Sequence, residues 1–218
     1  MQYIYLHGFA SSPNSNKARY IEQHFAENKI NLRIPDLNNN DFSHLTITRQ
    51  VKQVTAYFDN VELPVTLIGF SLGGLTAVHL GEKHPIVKRL ILLAPAFGFL
   101  SHWLAKLGEE KIQRWKQEKY LMVYHYREKR ELPLSYEFLK DATQYSEEIL
   151  KRPIPTLILH GKNDEVIPIE ASRDFARQRP WVKLVELDSD HSLGDVLPQI
   201  WQEIQSFCWN YFEFKFET

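Results

Sequence analysis

The sequence predicts an α/β fold, a shortened and mostly parallel sheet of about six strands with helices on both faces. Short apolar runs rich in β-branched and aromatic residues alternate with amphipathic stretches along the chain. A Gly-rich turn at 69–74 sits between one such run and one such stretch. Hydrophobic residues are 44% and charged residues 24% of the 218. That composition is globular and argues against disorder, collagen and coiled coil.

Each element follows from local pattern. Residues 3–6 form a first strand that runs at once into a Gly-containing loop. Residues 17–28 carry Ala18, Ile21 and Phe25 at helical spacing, after a Ser- and Asn-rich stretch suited to a helix cap. Residues 31–34 are a second strand, stopped by Pro35. Residues 46–58 place Ile47, Val51, Val54 and Phe58 on one helical face. Pro64 opens a third strand at 65–69, followed by a helix at 72–83 and a fourth strand at 87–93. Strands at 156–160 and 182–187 and helices at 170–177 and 197–211 complete the alternation.

Residues 97–152 break this rhythm. They hold Trp103, Trp115, Tyr120, Tyr124, Tyr126, Tyr136, Phe138 and Tyr145 and no convincing strand. A structureless loop of that length is foreign to a compact domain. The expectation is a single domain over 1–218 with a mostly helical lid insertion at 97–152. Most of its aromatics should pack the lid to the body, and a few should line a pocket. The tail alternates Phe212, Phe214 and Phe216 with charged residues, a strand pattern that makes a homodimer worth testing.

Charge and cysteine content exclude several classes. Lys and Arg number 26 against 27 Asp and Glu, for a net charge of −1, so no long-range attraction to nucleic acid is expected. Cys208 stands alone, which excludes an internal disulfide framework and any multi-Cys zinc site. The apolar run at 90–100 is too short for a membrane span and is interrupted by Pro95. The opening Met1-Gln2-Tyr3-Ile4 lacks a basic stretch and reads as a strand, so no signal peptide and a cytoplasmic location are expected.

The chemistry concentrates at Gly69-Phe70-Ser71-Leu72-Gly73-Gly74, a G-x-S-x-G motif with a strand before it and a helix after it. Such a turn must be sharp enough to push a serine oxygen out above the sheet. Gly69 and Gly73 leave room for strand and helix to pass. Serine needs a base and the base an orienting acid. In chain order these follow as Asp or Glu, then His, after late strands. Asp164 is the acid, with Glu165 its nearest rival. His191 is the histidine downstream of Asp164 and is assigned as the base. An oxyanion hole would use the backbone amides of Leu72, next to the nucleophile, and of Phe9, in the first loop. His7 stands at the wrong point in the chain order for a triad base; its ring should fix that loop. The pattern Asp188-x-Asp190-x-Ser192 starts like a calcium loop, but Leu193 and Gln199 hold the positions of the required Gly and Glu, so no metal is assigned. No dinucleotide or phosphate-loop glycine pattern is present, and no cofactor is expected.

Together these motifs resemble the α/β-hydrolase superfamily. The stretch His7-Gly8-Phe9-Ala10-Ser11-Ser12-Pro13-Asn14-Ser15-Asn16-Lys17-Ala18 closely resembles the H-G-F-x-S-S-P-x-S-x-K-A opening of the YqiA/YcfP-like bacterial serine esterases. Ser71-Leu72-Gly73-Gly74, Pro95-Ala96 and Asp164-Glu165-Val166 fit the same group. The resemblance implies an α/β-hydrolase fold lacking the strands that normally precede the oxyanion loop. It also implies serine-dependent cleavage of small-molecule acyl esters, including thioesters. One departure is Asp188-Ser189, where the family tends to carry glycines before the histidine. It surrounds His191 with Asp188 and Asp190, which would favour the imidazolium if they lie close.

Two rivals remain. A carbon–carbon bond hydrolase or lyase could use the same scaffold and would want a cationic clamp. The insertion offers Lys106, Arg114, Lys119, Arg127 and Arg130, for which a solvated helix face is the preferred reading. A catalytically idle binding protein is the other rival, and intact Ser71, Asp164 and His191 argue against it.

Overall fold

The computed structural model describes residues 1–58 and 63–209. Along the chain, β1 (Gln2–Leu6), α1 (Asn16–Glu27), β2 (Leu32–Arg33), α2 (Ile47–Thr55), β3 (Val65–Phe70), α3 (Leu72–Lys83) and β4 (Val87–Leu93) make the first half. Next come α4 (Phe99–Leu107), α5 (Glu109–Glu118), β5 (Tyr120–His125), β6 (Arg130–Ser135) and α6 (Glu137–Ala142). The chain then returns through β7 (Thr156–Gly161), α7 (Ile169–Arg177), β8 (Val182–Leu187) and α8 (Leu197–Trp209).

The main sheet is six-stranded, ordered β2-β1-β3-β4-β7-β8, and every pairing in it is parallel. Period-2 alternation divides each inner strand between two cores. Ile4, Leu6, Leu67, Leu90 and Leu92 pack with α2 and α3 through Val51, Val54, Leu75 and Val78. Tyr3, Tyr5, Ile68, Ile91 and Leu157 pack with α1 and α8 through Ile21, Phe25, Ile200 and Ile204. Because both faces are covered, the inner strands read as continuous apolar runs, which is why their positions were legible. The α3 helix is buried along nearly its whole length, Leu72 to Gly81.

Three expectations need correcting. The second strand, expected over 31–34, is only Leu32–Arg33, an edge strand with a single neighbour, β1. Pro35 lacks the N–H to extend it. The helix expected over 46–58 ends at Thr55. The segment expected to be helical at 97–152 holds an antiparallel hairpin, β5 with β6, paired from Tyr120↔Ser135 to His125↔Arg130. Tyr120 and Tyr124 stand four apart and so imitate a helical face. In the hairpin they share one exposed sheet face with Met122, which leaves no polar-to-apolar contrast for periodicity to detect. The alternating tail 212–216 lies outside the described residues.

The expected gluing role holds for Trp115 and Phe138, whereas Tyr120, Tyr124 and Tyr126 are exposed. Trp115 and Phe138 are buried. Trp115 Nε1 donates to the Leu134 carbonyl at 2.9 Å, tying α5 to β6. Phe138 stacks near Phe9 of the first loop, ring centroids 5.4 Å apart. At the other end, the Tyr126 amide donates to the Ala10 carbonyl at 3.0 Å. The hairpin is thereby fastened to the loop that follows β1. Among the described residues no helix is long and apolar enough to cross a membrane. Replacing Trp115 with Ala should cost about 3–5 kcal/mol, because it opens a cavity and removes the indole bond to the Leu134 carbonyl. Urea unfolding of the variant beside wild type measures the loss; a change under about 1 kcal/mol would contradict this packing role.

Candidate active site

β3 and α3 meet at Ser71, which adopts φ +52° and ψ −118°. That left-handed backbone is unfavourable for a side-chain-bearing residue. It is held by hydrogen bonds on both sides. Ser71 N–H donates to Leu93 O at 2.9 Å, and Ser71 O accepts from Gly74 N at 2.8 Å and Ala96 N at 3.0 Å. The two motif glycines are sterically required. A Cβ on Gly73 would overlap the Leu6 carbonyl, and one on Gly69 would overlap the Gly73 carbonyl. The first loop presses on the same point, since a Cβ on Gly8 would come within 3.3 Å of Ser71 Cβ.

The loops after β7 and β8 bring Asp164 and His191 to Ser71. The serine hydroxyl donates to His191 Nε2 at 3.1 Å. His191 Nδ1 donates to Asp164 Oδ2 at 2.7 Å. Asp164 Oδ1 accepts from the amides of Val166 and Ile167, both at 2.8 Å. Its side chain is fully buried. Burial alone would raise the Asp164 pKa, but hydrogen bonds from His160 and His191 and the amide of Ile167 outweigh it. The carboxyl is held well below the usual range. Glu165, the sequence rival, is exposed.

His160 was not singled out by its sequence position. It is wholly buried. Its Nε2 donates to Asp164 Oδ2 at 3.1 Å and to the Ile167 carbonyl at 3.0 Å. Two acceptors on one nitrogen place the hydrogen there, so Nδ1 accepts from the Ser172 hydroxyl, 2.7 Å away. The signal was available: His160 lies four residues before Asp164, in the strand that delivers the acid. Gly161 was overlooked too. A Cβ there would overlap the Ser189 carbonyl and strike that of Asp190, so its absence lets the His191 loop close on β7.

The Asp188-Ser189 departure is absorbed without glycine. Ser189 O accepts from Asn163 N at 3.0 Å, and Ser189 Oγ donates to Asp195. Asp190 folds back on its own loop, accepting from Ser192 N at 2.8 Å and Ser192 Oγ at 2.7 Å. Asp188 accepts from Asn163 Nδ2 at 3.4 Å. The carboxylate on the imidazole is that of Asp164. His7 ties down the first loop, as its position suggested. Its Nδ1 donates to Gly8 O and its Nε2 accepts from Leu37 N, each at 2.9 Å.

A cavity of about 300 Å³ opens over Ser71, with Phe9 and Leu72 on its wall beside Phe99, Trp103, Tyr124 and Phe138. Lys106 also lines it, and its Nζ donates to the Glu165 carbonyl. This side chain is exposed on α4, as expected of a solvated helix face, and also borders the site. Arg114 meets that expectation on α5, pairing with Glu118, whereas Arg127 lies in the turn of the hairpin, exposed, and pairs with Asp36 and Glu128. Among the described residues no group of His, Cys, Asp or Glu is arranged to hold a metal ion.

Two predictions follow from these contacts. Asp164 titrates in the folded protein below its unfolded value of about 3.9, so its stabilisation is present above that value and is lost as pH falls toward the folded pKa. Acid unfolding followed by circular dichroism should therefore show a shallower decline below about pH 4 for Asp164→Asn than for wild type. Equal slopes would contradict it. Gly73→Ala should destabilise the fold by more than about 4 kcal/mol, because the clash is with backbone; a soluble variant with an unchanged thermal midpoint would refute that.

Comparison with known proteins agrees with this architecture. Est1E from Butyrivibrio proteoclasticus, solved with ferulic acid bound, aligns at 22% identity and a TM-score of 0.82, covering 97% of this chain and 89% of Est1E. The alpha/beta hydrolase domain-containing protein 10 from mouse aligns at 24% identity and a TM-score of 0.71, covering 94% of this chain and 90% of its own. MGS-MChE2, an alpha/beta hydrolase enzyme from the metagenome of sediments from the lagoon of Mar Chica, Morocco, aligns at 21% identity and a TM-score of 0.65, covering 94% and 90%. No curated protein matches the sequence. The profile of the family described as Uncharacterised protein family (UPF0227) matches residues 2–208. With nearly the whole chain matched, this protein belongs to the UPF0227 family and has the α/β-hydrolase fold.

Proposed function

We propose that the protein is a serine hydrolase that cleaves acyl esters through Ser71, His191 and Asp164. The observation that carries this reading is the unbroken hydrogen-bond chain from Asp164 through His191 to a serine on a strained turn that faces a cavity. His191 takes the hydroxyl proton as Ser71 Oγ attacks the ester carbonyl. Asp164 holds the imidazole in the tautomer that leaves Nε2 free to accept it, and stabilises the imidazolium that forms. The oxyanion is assigned to the amides of Leu72, at the first turn of α3, and of Phe9. His191 then protonates the departing alcohol. Water, activated by the same imidazole, releases the acid from the acyl-enzyme.

The cavity is at the small end of ligand sites and its walls are aromatic. It suits a short apolar or aromatic acyl group. Est1E with ferulic acid bound offers a parallel of that kind. In this reading residues 97–152 serve as the lid of a single domain, anchored at the Tyr126 amide and at Phe138. Lys106 at the cavity wall would meet a negative charge on the substrate, the feature a carbon–carbon hydrolase of acidic metabolites would share.

Purified protein assayed on 4-nitrophenyl esters of increasing acyl length should turn over the shorter ones. Ser71→Ala should lower kcat/KM by at least about a thousandfold, and Asp164→Asn by a comparable factor. No turnover on any ester, with Ser71 also unlabelled by a fluorophosphonate, would sink the hydrolase reading in favour of a binding protein. Labelling without ester turnover would move the chemistry to carbon–carbon cleavage.

A further inference from the structure

We propose that Lys17 is a positioning residue for His191, its ammonium holding the imidazole at Ser71 through the Ser192 carbonyl and the Phe70 ring. The inference rests on the hydrolase reading given above. Lys17 stands in the first turn of α1, after the Ser15 cap, yet its side chain is turned inward and only 8% exposed. Its Nζ donates to the backbone carbonyl of Ser192, the residue directly after His191 and 175 positions away in sequence. The same Nζ lies 4.0 Å from the centroid of Phe70, the residue directly before Ser71. The Phe70 ring in turn lies against the His191 imidazole, centroids 5.2 Å apart. One cation therefore touches the chain neighbours of both the nucleophile and the base.

This is an expensive place for a charge. A cation in the first turn faces the positive end of the helix dipole. Burial removes its hydration, and the charged group that faces it is Asp190, on the loop that carries His191. Ser192 and Phe70, its other partners, are neutral. Asp190 is itself engaged by the amide and hydroxyl of Ser192. Burial outweighs the attraction of Asp190 and pushes the Lys17 pKa down to about 8. An ordinary surface lysine would stay charged to about pH 10. The link is accordingly strong only at neutral pH and below. As the ammonium loses its proton, the charge-assisted bond to Ser192 weakens and the attraction to the Phe70 face disappears. The loop then holds His191 less firmly, and a displacement near 1 Å is enough to slow proton transfer severely.

The test needs no knowledge of the natural substrate. The rate at which a fluorophosphonate labels Ser71 in the full chain is measured from about pH 6 to about pH 10, with a thermal midpoint taken at each pH. For wild type the rate should fall at alkaline pH with a midpoint near 8. Lys17→Met should label about tenfold or more slowly at neutral pH and show no alkaline fall. Lys17→Arg, charged throughout, should carry the plateau to higher pH; if the larger head cannot be housed, wild type and Lys17→Met decide the matter alone. A purely structural lysine would change the folded fraction and leave the shape of the profile intact. A wild-type rate that stays level to about pH 10, or a Lys17→Met profile identical to wild type, would overturn the proposal. Absence of labelling at every pH is a different result: it would remove the hydrolase reading itself, and the Lys17 role with it.

Discussion

The whole arrangement depends on a single steric constraint, the passage of the chain from β3 into α3 within one residue. Ser71 must take a left-handed backbone, at a cost of about 1–3 kcal/mol. The helix must start so close to the sheet that Gly69 and Gly73 touch backbone on their neighbours. Those contacts decide much that follows. They bring the β1 loop against Ser71 and start α3 directly after it. A turn with more freedom would be cheaper and would leave the hydroxyl among the strands. The strain is distributed over hydrogen bonds to Leu93, Gly74 and Ala96, so the neighbouring strand β4 helps to hold the turn.

Electrostatics complete what sterics begin. Asp164 is removed from water and would be costly as an anion without partners. Two backbone amides and two imidazoles supply them. His160 and Ser172 form an outer layer that keeps the carboxylate pointed at His191, with the His160 Nε2–H shared between Asp164 and the Ile167 carbonyl. The adjoining β7 and β8 loops are bound to one another by Lys162 N to Leu187 O and Asn163 N to Ser189 O. The loops that carry Asp164 and His191 are thereby tied to each other, and Lys17 joins the His191 loop to α1.

The segment between β4 and β7 has a different physical character. Its buried aromatics, Trp115 and Phe138, pack as a core, while the outward face of β5 leaves tyrosines exposed beside the cavity. The hairpin grips the body at the Ala10 carbonyl, one residue from the proposed oxyanion amide of Phe9. The hairpin and the loop after β1 are therefore mechanically connected. Lys106 sits at the same border, held to the chain beside Asp164.

The sequence by itself determined the sheet, its helices and the three side chains that meet in it. Buried parallel strands are continuous apolar runs, amphipathic helices keep their period, and a Gly-x-Ser-x-Gly turn is local chemistry that little else can satisfy. Asp164 and His191 were readable because chain order places them on the loops after successive strands. What only the tertiary structure decided depends on contacts between residues far apart in the chain. The hairpin at 120–135 lacks an apolar–polar alternation because its outer face is aromatic, so pairing between β5 and β6 and packing on Trp115 select it. His160 looked like one more buried strand residue until the fold set it against Asp164. Asp188 and Asp190 looked like partners for His191, yet backbone geometry turned Asp190 onto Ser192 and kept the imidazole for Asp164. Lys17 belonged to a motif whose reason was invisible, because its partners lie at Phe70 and Ser192 and meet it only when β3, α1 and the last loop close on one another.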